Sequence, residues 1–247
     1  MSDELITLYR KILLETDFSP LEEEKANYSG VFLPVPGPAF GQSGFKLMVV
    51  GQETRGWNGS LEKLLSAQLN NTLDEYLGGT AENYLAQLNV PINSVFLRFL
   101  KTTEKRLNMA PMEIFWANLL ACSYRKKSPR GRPKKEYEAL RKLSSELLSA
   151  QIKLINPDAI LFLTGPGHDK TIKAMGMEHF NGHKRSWVKE KRRLWFFELG
   201  SIPCCRTTHP CHFAGKASRI EAVDAIANFK QNPAIPMYTP SETLLVG

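Results

Sequence analysis

The sequence predicts an α/β protein, and three observations carry that reading. Short apolar runs rich in Val, Ile, Leu and Phe recur at 45–50 (FKLMVV), 114–122 (IFWANLLAC), 159–164 (AILFLT) and 194–199 (LWFFEL). Runs of this length, closed by Gly or polar residues, read as buried strands. Longer stretches with apolar residues at helical spacing lie between them, and strand–helix–strand order argues a parallel sheet with right-handed crossovers. The third observation is composition: 247 residues, 43% hydrophobic and 23% charged, suffice to bury a sizeable core.

Residues 3–16 place Leu5, Leu8, Ile12 and Leu13 at helical spacing, an amphipathic helix that packs on the domain. Gly and Pro punctuation with aromatic anchors (Tyr28, Phe32, Phe40) makes 27–44 a loop with defined turns. The first strand then runs into Gly51-Gln52-Glu53-Thr54-Arg55-Gly56-Trp57. Ligands of open α/β sheets bind at the carboxyl ends of strands, so this turn is either a site wall or an ordinary loop facing water. From 60 to 109 the patterning is helical around Leu61, Leu64, Leu65 and Leu69, then from Tyr84 to Leu88, then over 95–107. Gly78-Gly79 and Pro91 are expected to break it into two or three helices. This insertion, about 58–110, either roofs the site or covers one face of the sheet.

The second strand carries Asn118 in an otherwise apolar run, and a buried amide costs about 1–3 kcal/mol unless it is satisfied. Either a backbone partner within the fold or a ligand edge with matching donor and acceptor meets that need. The next residues, SYRKKSPRGRPKK, with Arg125, Lys126 and Lys127 at their head, form a basic loop that is either merely solvated or follows a phosphate backbone. A helix over 135–155 stops at Asn156-Pro157, and the third strand turns through Gly165-Pro166-Gly167 into a helix near His168. These glycines complete neither a dinucleotide motif nor a P-loop, so no nucleotide cofactor is expected. A second basic segment, 183–193 (HKRSWVKEKRR), precedes the strand at 194–199. An extended segment over 202–208 leads to Thr208-His209-Pro210-Cys211-His212-Phe213. Ala214-Gly215-Lys216 opens a helix with Ile220, Val223, Ile226 and Phe229 on one face, and its start offers unpaired N–H groups to an anion. Residues 232–247 read as a tail.

Lys plus Arg outnumber Asp plus Glu by 32 to 25, a net charge of +7 that favours polyanionic partners without demanding them. Four Cys in so long a chain make no disulfide framework and suggest a reducing compartment. Cys204, Cys205, His209, Cys211 and His212 crowd together, yet adjacent Cys on a strand face opposite sides, so no metal is expected. The start, MSDELITLYR, lacks an apolar core of signal-peptide length, and no run approaches the ~20 residues of a membrane span. The expectation is a cytoplasmic, monomeric, single-domain protein over 1–247 with no membrane partner.

Gly51-Gln52-Glu53 after the first strand, Asn118 in the second, and His209-Pro210 before the last long helix occur in an order that resembles the uracil-DNA glycosylase superfamily. Members carry a first motif of the Gly-Gln-Asp-Pro-Tyr or Gly-Ile-Asn-Pro-Gly kind, an Asn in an apolar strand, and a His-Pro-Ser motif followed by a wedge residue. The likeness covers about 45–229, through short motifs whose order is the specific part. It implies a three-layer α/β/α sandwich around a central, mostly parallel four-stranded sheet, DNA as partner, and no cofactor. It also implies that Glu53 takes the place of the water-activating acid, that Gln52 lies against the base, and that Asn118 reads the pyrimidine edge. His209 would sit beside the departing base's oxygen, and Phe213 would fill the gap left by the flipped nucleotide. The basic segments at 125–135 and 184–193 would then hold the phosphates that extrusion requires.

The departures bear on the substrate. Glu53 is one methylene longer than the usual Asp, Thr54 replaces Pro, and Cys211-His212 replaces Ser, which makes His212 an added candidate acid or phosphate ligand. Arg55-Gly56 stands where strict uracil enzymes close the pocket with Tyr, so a base with a 5-substituent could enter and meet Arg55 or Trp57. The expected activity is excision of a 5-modified pyrimidine, hydroxymethylated or glucosylated as in viral DNA, or of uracil, leaving an abasic site; anti-phage defence is one setting for it. Lys216 and His212, with the 125–127 cations, would contact DNA. The competing class is a non-catalytic DNA-binding module on the same fold, which abasic-site formation on defined oligonucleotides discriminates.

Overall fold

The computed structural model describes residues 1–89 and 94–238. In chain order its elements are α1 (Ser2–Glu15), β1 (Leu47–Gly51), α2 (Leu61–Leu69), α3 (Leu73–Asn89), α4 (Val95–Arg106), β2 (Phe115–Asn118), α5 (Lys134–Ile155), β3 (Ala159–Phe162), α6 (Asp169–Phe180), β4 (His183–Glu190), β5 (Leu194–Leu199), β6 (Ile202–Arg206) and α7 (Lys216–Gln231). The described residues thus form an α/β fold with seven α-helices and a six-stranded sheet of order β2-β1-β3-β6-β5-β4.

The expectation of a mostly parallel four-stranded sheet is overturned: the sheet is mixed. β3 and β6 pair in parallel, whereas β5 pairs antiparallel with both β6 and β4. Chain length is the reason. Only Gly200 and Ser201 separate β5 from β6, with Gly200 at φ +61, and a parallel neighbour would need a crossover of about a dozen residues or more. Residues 183–190 of the second basic segment form the outer strand β4, paired from His183 with Leu199 to Glu190 with Leu194. Charged residues on an outer strand discourage further edge-to-edge pairing.

Backbone contacts divide the chain into two compact units, Met1–Pro38 with Val50–Pro91 and Phe115–Asn156, and Ala39–Val49 with Ile92–Ile114 and Pro157–Gly247. In the first unit α1 packs on α3 and α5, and α2 packs on α3. Helix α1 buries Leu5, Tyr9 and Leu13, one face at helical spacing, against a long stripe on α5 that includes Leu140, Leu147, Leu148 and Ile152. Asn156 closes α5 in the left-handed conformation (φ 46), and Pro157 forbids its continuation. Gly78-Gly79 does not interrupt α3, contrary to the expectation. Burial of Leu73, Tyr76, Leu77, Thr80, Tyr84 and Leu88 along one side outweighs a glycine penalty of about 1 kcal/mol each. Pro91 lies outside the described residues.

In the second unit α6 packs on β4, and α7 packs on β5 and α4. Arg106 pairs with Asp224, and the Lys230 ammonium donates to the Leu107 carbonyl at 2.8 Å, fastening α4 to α7. Arg206 is 2% exposed and donates to the Asp169 carboxylate at 2.7 Å, which spares a buried guanidinium the cost of being unpaired. The expected tail from 232 onward leaves the described residues at 239. No helix among the described residues is long and apolar enough to cross a membrane.

A Cβ added at Gly78 or Gly79 would meet nothing within 4 Å. Gly78→Ala and Gly79→Ala should therefore each stabilise the protein by about 0.5–1 kcal/mol, measured by urea denaturation.

Candidate functional site

The carboxyl ends of β1 and β2 are joined by backbone hydrogen bonds. Leu119 N–H donates to the Gly51 carbonyl at 2.9 Å, and Leu120 N–H donates to the Gln52 carbonyl at 2.8 Å. This pairing ties Gln52, which follows β1 and leads into Glu53, to Leu119 and Leu120, which follow Asn118 at the end of β2. Every residue of both strands is buried, so the polar groups emerge from an apolar floor. The chain then turns at Gly56, whose φ of +79 suits only glycine well, and Gly56 N–H donates to Ser123 Oγ at 3.1 Å.

Glu53 is partly buried and its carboxyl is raised above the usual glutamate range. Loss of solvent is the main cause; a 3.4 Å hydrogen bond donated by Ser128 Oγ and the positive charges of Arg55 and Arg130 oppose it. A carboxyl so raised at a strand end is suited to proton transfer nearer neutral pH than an ordinary glutamate.

Asn118 is 7% exposed, and its two amide atoms differ in state. Oδ1 accepts a 3.1 Å hydrogen bond from Trp116 Nε1–H, whereas Nδ2 has no partner. Trp116 and Asn118 are two apart on β2 and so face the same way. The Trp116 backbone N–H and carbonyl both bond the Tyr84 hydroxyl, at 3.2 and 3.1 Å, and Phe32 packs between Trp57 (4.8 Å between centroids) and Trp116 (4.9 Å). Trp57, expected to contact the base, is 6% exposed within this cluster, and its Nε1 likewise lacks a partner. Each buried unsatisfied donor costs about 1–3 kcal/mol. Arg55 stays exposed beside the acid.

The basic loop is anchored rather than merely solvated. Tyr124 and Lys127 exchange both backbone hydrogen bonds, 2.9 and 2.8 Å, leaving Arg125 (φ 46) and Lys126 (φ 59) as the tip of a two-residue hairpin. Such a turn normally calls for Asn-Gly, and forked or ammonium-bearing side chains there are strained. Arg125 Nε donates to Asn27 Oδ1 at 3.1 Å, and the Lys126 chain passes Gly56 closely enough that a Cβ there would lie 3.4 Å from Lys126 Cγ. Arg132 holds the base of the loop: it donates two 3.0 Å bonds to Glu136 and lies 4.0 Å over the Tyr124 ring, while Tyr28 and Tyr124 donate to Glu136 and Glu24. Arg125, Lys126 and Lys127 are exposed.

In the second unit, residues 207–213 leave β6 for α7. His209 Nδ1 accepts from the Cys211 N–H at 3.3 Å, so in the neutral ring the proton is on Nε2. The ring stacks on Phe96 at 5.7 Å. Arg219 of α7, nearly buried, donates to Thr208 Oγ1 (2.8 Å), the His209 carbonyl (3.2 Å) and the His212 carbonyl (2.8 Å), which pins the loop. Burial lowers the Arg219 pKa. Packing at Gly215 is so close that a Cβ there would run into the Thr208 side chain. His212 and Lys216 are exposed, and Phe213 is 89% exposed, far more than a residue placed for core packing. The charges of β4 are largely matched by carboxylates: Arg185 pairs with Glu198, Lys189 with Glu221, and Arg193 with Glu190 beyond the strand. That strand is therefore a poorer phosphate surface than its composition suggests.

The structure thus gathers Gln52, Glu53, Arg55, Trp57, Asn118 and the 125–127 cations in one unit, and His209, His212, Phe213 and Lys216 in the other. Trp116, Ser128 and Arg219 were not singled out from sequence, and Phe32 and Tyr84 were named there only for packing. Only Trp116 gave a sign there, since it shares a strand face with Asn118.

Two outcomes follow. Because the folded-state pKa of Glu53 exceeds its unfolded value, the folded state binds the extra proton between the two, so its contribution falls as pH rises from about 4.5. Denaturation over this range should show that slope flattened by Glu53→Gln. The double substitution Arg125→Asn/Lys126→Gly should raise stability by about 1 kcal/mol while weakening DNA binding in a salt titration.

No protein-family model matches the chain, and no curated protein matches it in sequence.

Proposed function

We propose that the protein is a DNA glycosylase of the uracil-DNA glycosylase kind that extrudes a pyrimidine nucleotide, preferably one with a substituent at the 5-position, and hydrolyses its N-glycosidic bond. The observation that supports the reading is the pairing of the carboxyl ends of β1 and β2, with a desolvated carboxyl at Glu53 just past one strand and a buried, half-unsatisfied amide at Asn118 at the end of the other. A partly buried acid and a buried open amide at adjoining strand ends are costly for stability alone, and both suit an N-glycosyl bond next to a nucleobase.

In this mechanism the bond between the sugar and the base nitrogen breaks, and its electron pair leaves with the base. Ionised Glu53 stabilises the cationic sugar and accepts a proton from the water that adds to it. The roles of His209 and Phe213 come from the resemblance. That resemblance would have His209 donate through Nε2–H to the oxygen of the anionic base and Phe213 fill the stack. The donor state of the ring and the exposure of the phenyl group support those roles. Arg125, Lys126 and Lys127 hold phosphates, and Arg55 with the small Gly56 leaves room at the 5-position. Viral DNA with hydroxymethylated or glucosylated bases is a natural source of such substrates.

Oligonucleotides carrying uracil, 5-hydroxymethyluracil, 5-hydroxymethylcytosine and glucosylated cytosine should separate the readings through alkali-labile abasic sites. Cleavage at one or more modified bases is expected, with an acidic limb of the rate profile above the ordinary glutamate range because only ionised Glu53 is competent. Glu53→Gln should lower the rate by at least about 100-fold and spare DNA affinity. Binding without cleavage of any oligonucleotide would leave the non-catalytic module, and full activity in Glu53→Gln would move the acid elsewhere.

A further inference from the structure

We propose that Trp116 is a specificity-determining positioning residue: by occupying Asn118 Oδ1 it commits the amide to presenting Nδ2–H, and so selects a pyrimidine with a carbonyl rather than an amino group at position 4. The inference rests on the glycosylase reading for its ligand class and goes beyond it in naming what sets the choice of base.

The argument begins with hydrogen-bond chemistry. An indole N–H only donates, so the Asn118 atom 3.1 Å from Trp116 Nε1 has to be the carbonyl oxygen; an amide nitrogen there would set donor against donor. Rotating the Asn118 amide would break this bond and bury an unsatisfied indole N–H. Trp116 cannot readily swing away to permit it. Its backbone is bonded on both sides by the Tyr84 hydroxyl, and its ring lies against Phe32 and Tyr84, at 4.9 and 5.9 Å. Nδ2 is thereby left as a buried donor without a partner. It requires an acceptor. A 4-oxo pyrimidine offers one, whereas a 4-amino pyrimidine offers N–H groups of its own at that position and leaves both sides unpaired.

Trp116 need not touch the base. It acts through Asn118, and nothing else among the described hydrogen bonds holds Oδ1. The unpartnered Trp57 Nε1 is a second indole donor in the same aromatic cluster, joined to Trp116 through Phe32. Two unmet side-chain donors, and no unmet side-chain oxygen among the described residues of this cluster, favour a ligand edge rich in oxygen.

The test uses the full-length protein labelled with nitrogen isotope, titrated separately with free 5-hydroxymethyluracil and free 5-hydroxymethylcytosine while the Asn118 side-chain NH2 and the indole N–H resonances are followed. The wild type should bind the uracil-type base at least about tenfold more tightly, with the Asn118 NH2 resonances shifting, and the Trp116 indole N–H should exchange slowly with solvent. Trp116→Phe keeps an aromatic ring there, though a smaller one, and removes the donor, so the two affinities should converge to within about twofold. Equal affinities in the wild type, preference for the cytosine-type base, binding of neither, or an unchanged ratio in a folded Trp116→Phe would each overturn the proposal. Should that variant not fold, a rapidly exchanging Trp116 indole N–H in the wild type would overturn it, and slow exchange together with the tenfold preference would sustain it. The expected preference without abasic sites on any oligonucleotide keeps the role of Trp116 and removes the glycosylase reading; abasic sites without any preference do the reverse.

Discussion

Two backbone hydrogen bonds, from Leu119 to Gly51 and from Leu120 to Gln52, are the constraint on which the candidate site depends. They extend the pairing of β1 and β2 beyond the strands themselves, so the residues that leave the sheet do so side by side. With them, an acid and an amide far apart in sequence share one apolar floor. The carboxyl edge of a sheet commonly holds ligands for this reason: backbone pairing supplies rigidity, and departing loops supply chemistry.

Several features around that floor oppose stability. Glu53 loses solvent without gaining a carboxylate's usual full set of donors, Asn118 and Trp57 keep unmet N–H groups, and Arg125 with Lys126 adopt backbone angles that suit Asn-Gly. Such costs persist only where the surroundings over-determine them. Here the surroundings are identifiable. The Phe32, Trp57, Tyr84 and Trp116 cluster fixes the amide, and Arg132 with Tyr28, Tyr124, Glu24 and Glu136 fixes the strained turn. The unmet N–H groups of Asn118 and Trp57, together with the desolvated carboxyl of Glu53, are the physical basis for reading this strand end as a site.

The loop that carries His209 is organised by a different device. Arg219 spends three hydrogen bonds on Thr208 and on the carbonyls of His209 and His212, so a cation inside the fold is neutralised by dipoles rather than by a carboxylate. The Cys211 N–H then sets the histidine tautomer. The loop is thus held at its base while Phe213 at its crest remains bare, a division suited to a side chain that acts outside the protein's own core.

Sequence by itself determined the local elements. Alternation of short apolar runs with helical stripes placed the buried strands and the long helices, since burial of a periodic face needs no distant partner to be legible, and Asn156-Pro157 marked the end of α5 through backbone sterics alone. Asn118 stood out as the polar interruption of an apolar run, and Gly51-Gln52-Glu53 as a turn rich in chemistry. Tertiary structure decided the remainder. Gly78-Gly79 stays helical because α3 is buried along one side, the segment 183–190 becomes an outer strand because β5 offers it a partner, and the sheet is mixed because two residues cannot make a crossover. Which amide atom Asn118 keeps open was likewise beyond the sequence, because that depends on one indole hydrogen bond whose geometry exists only once the strand, α3 and Phe32 have packed together.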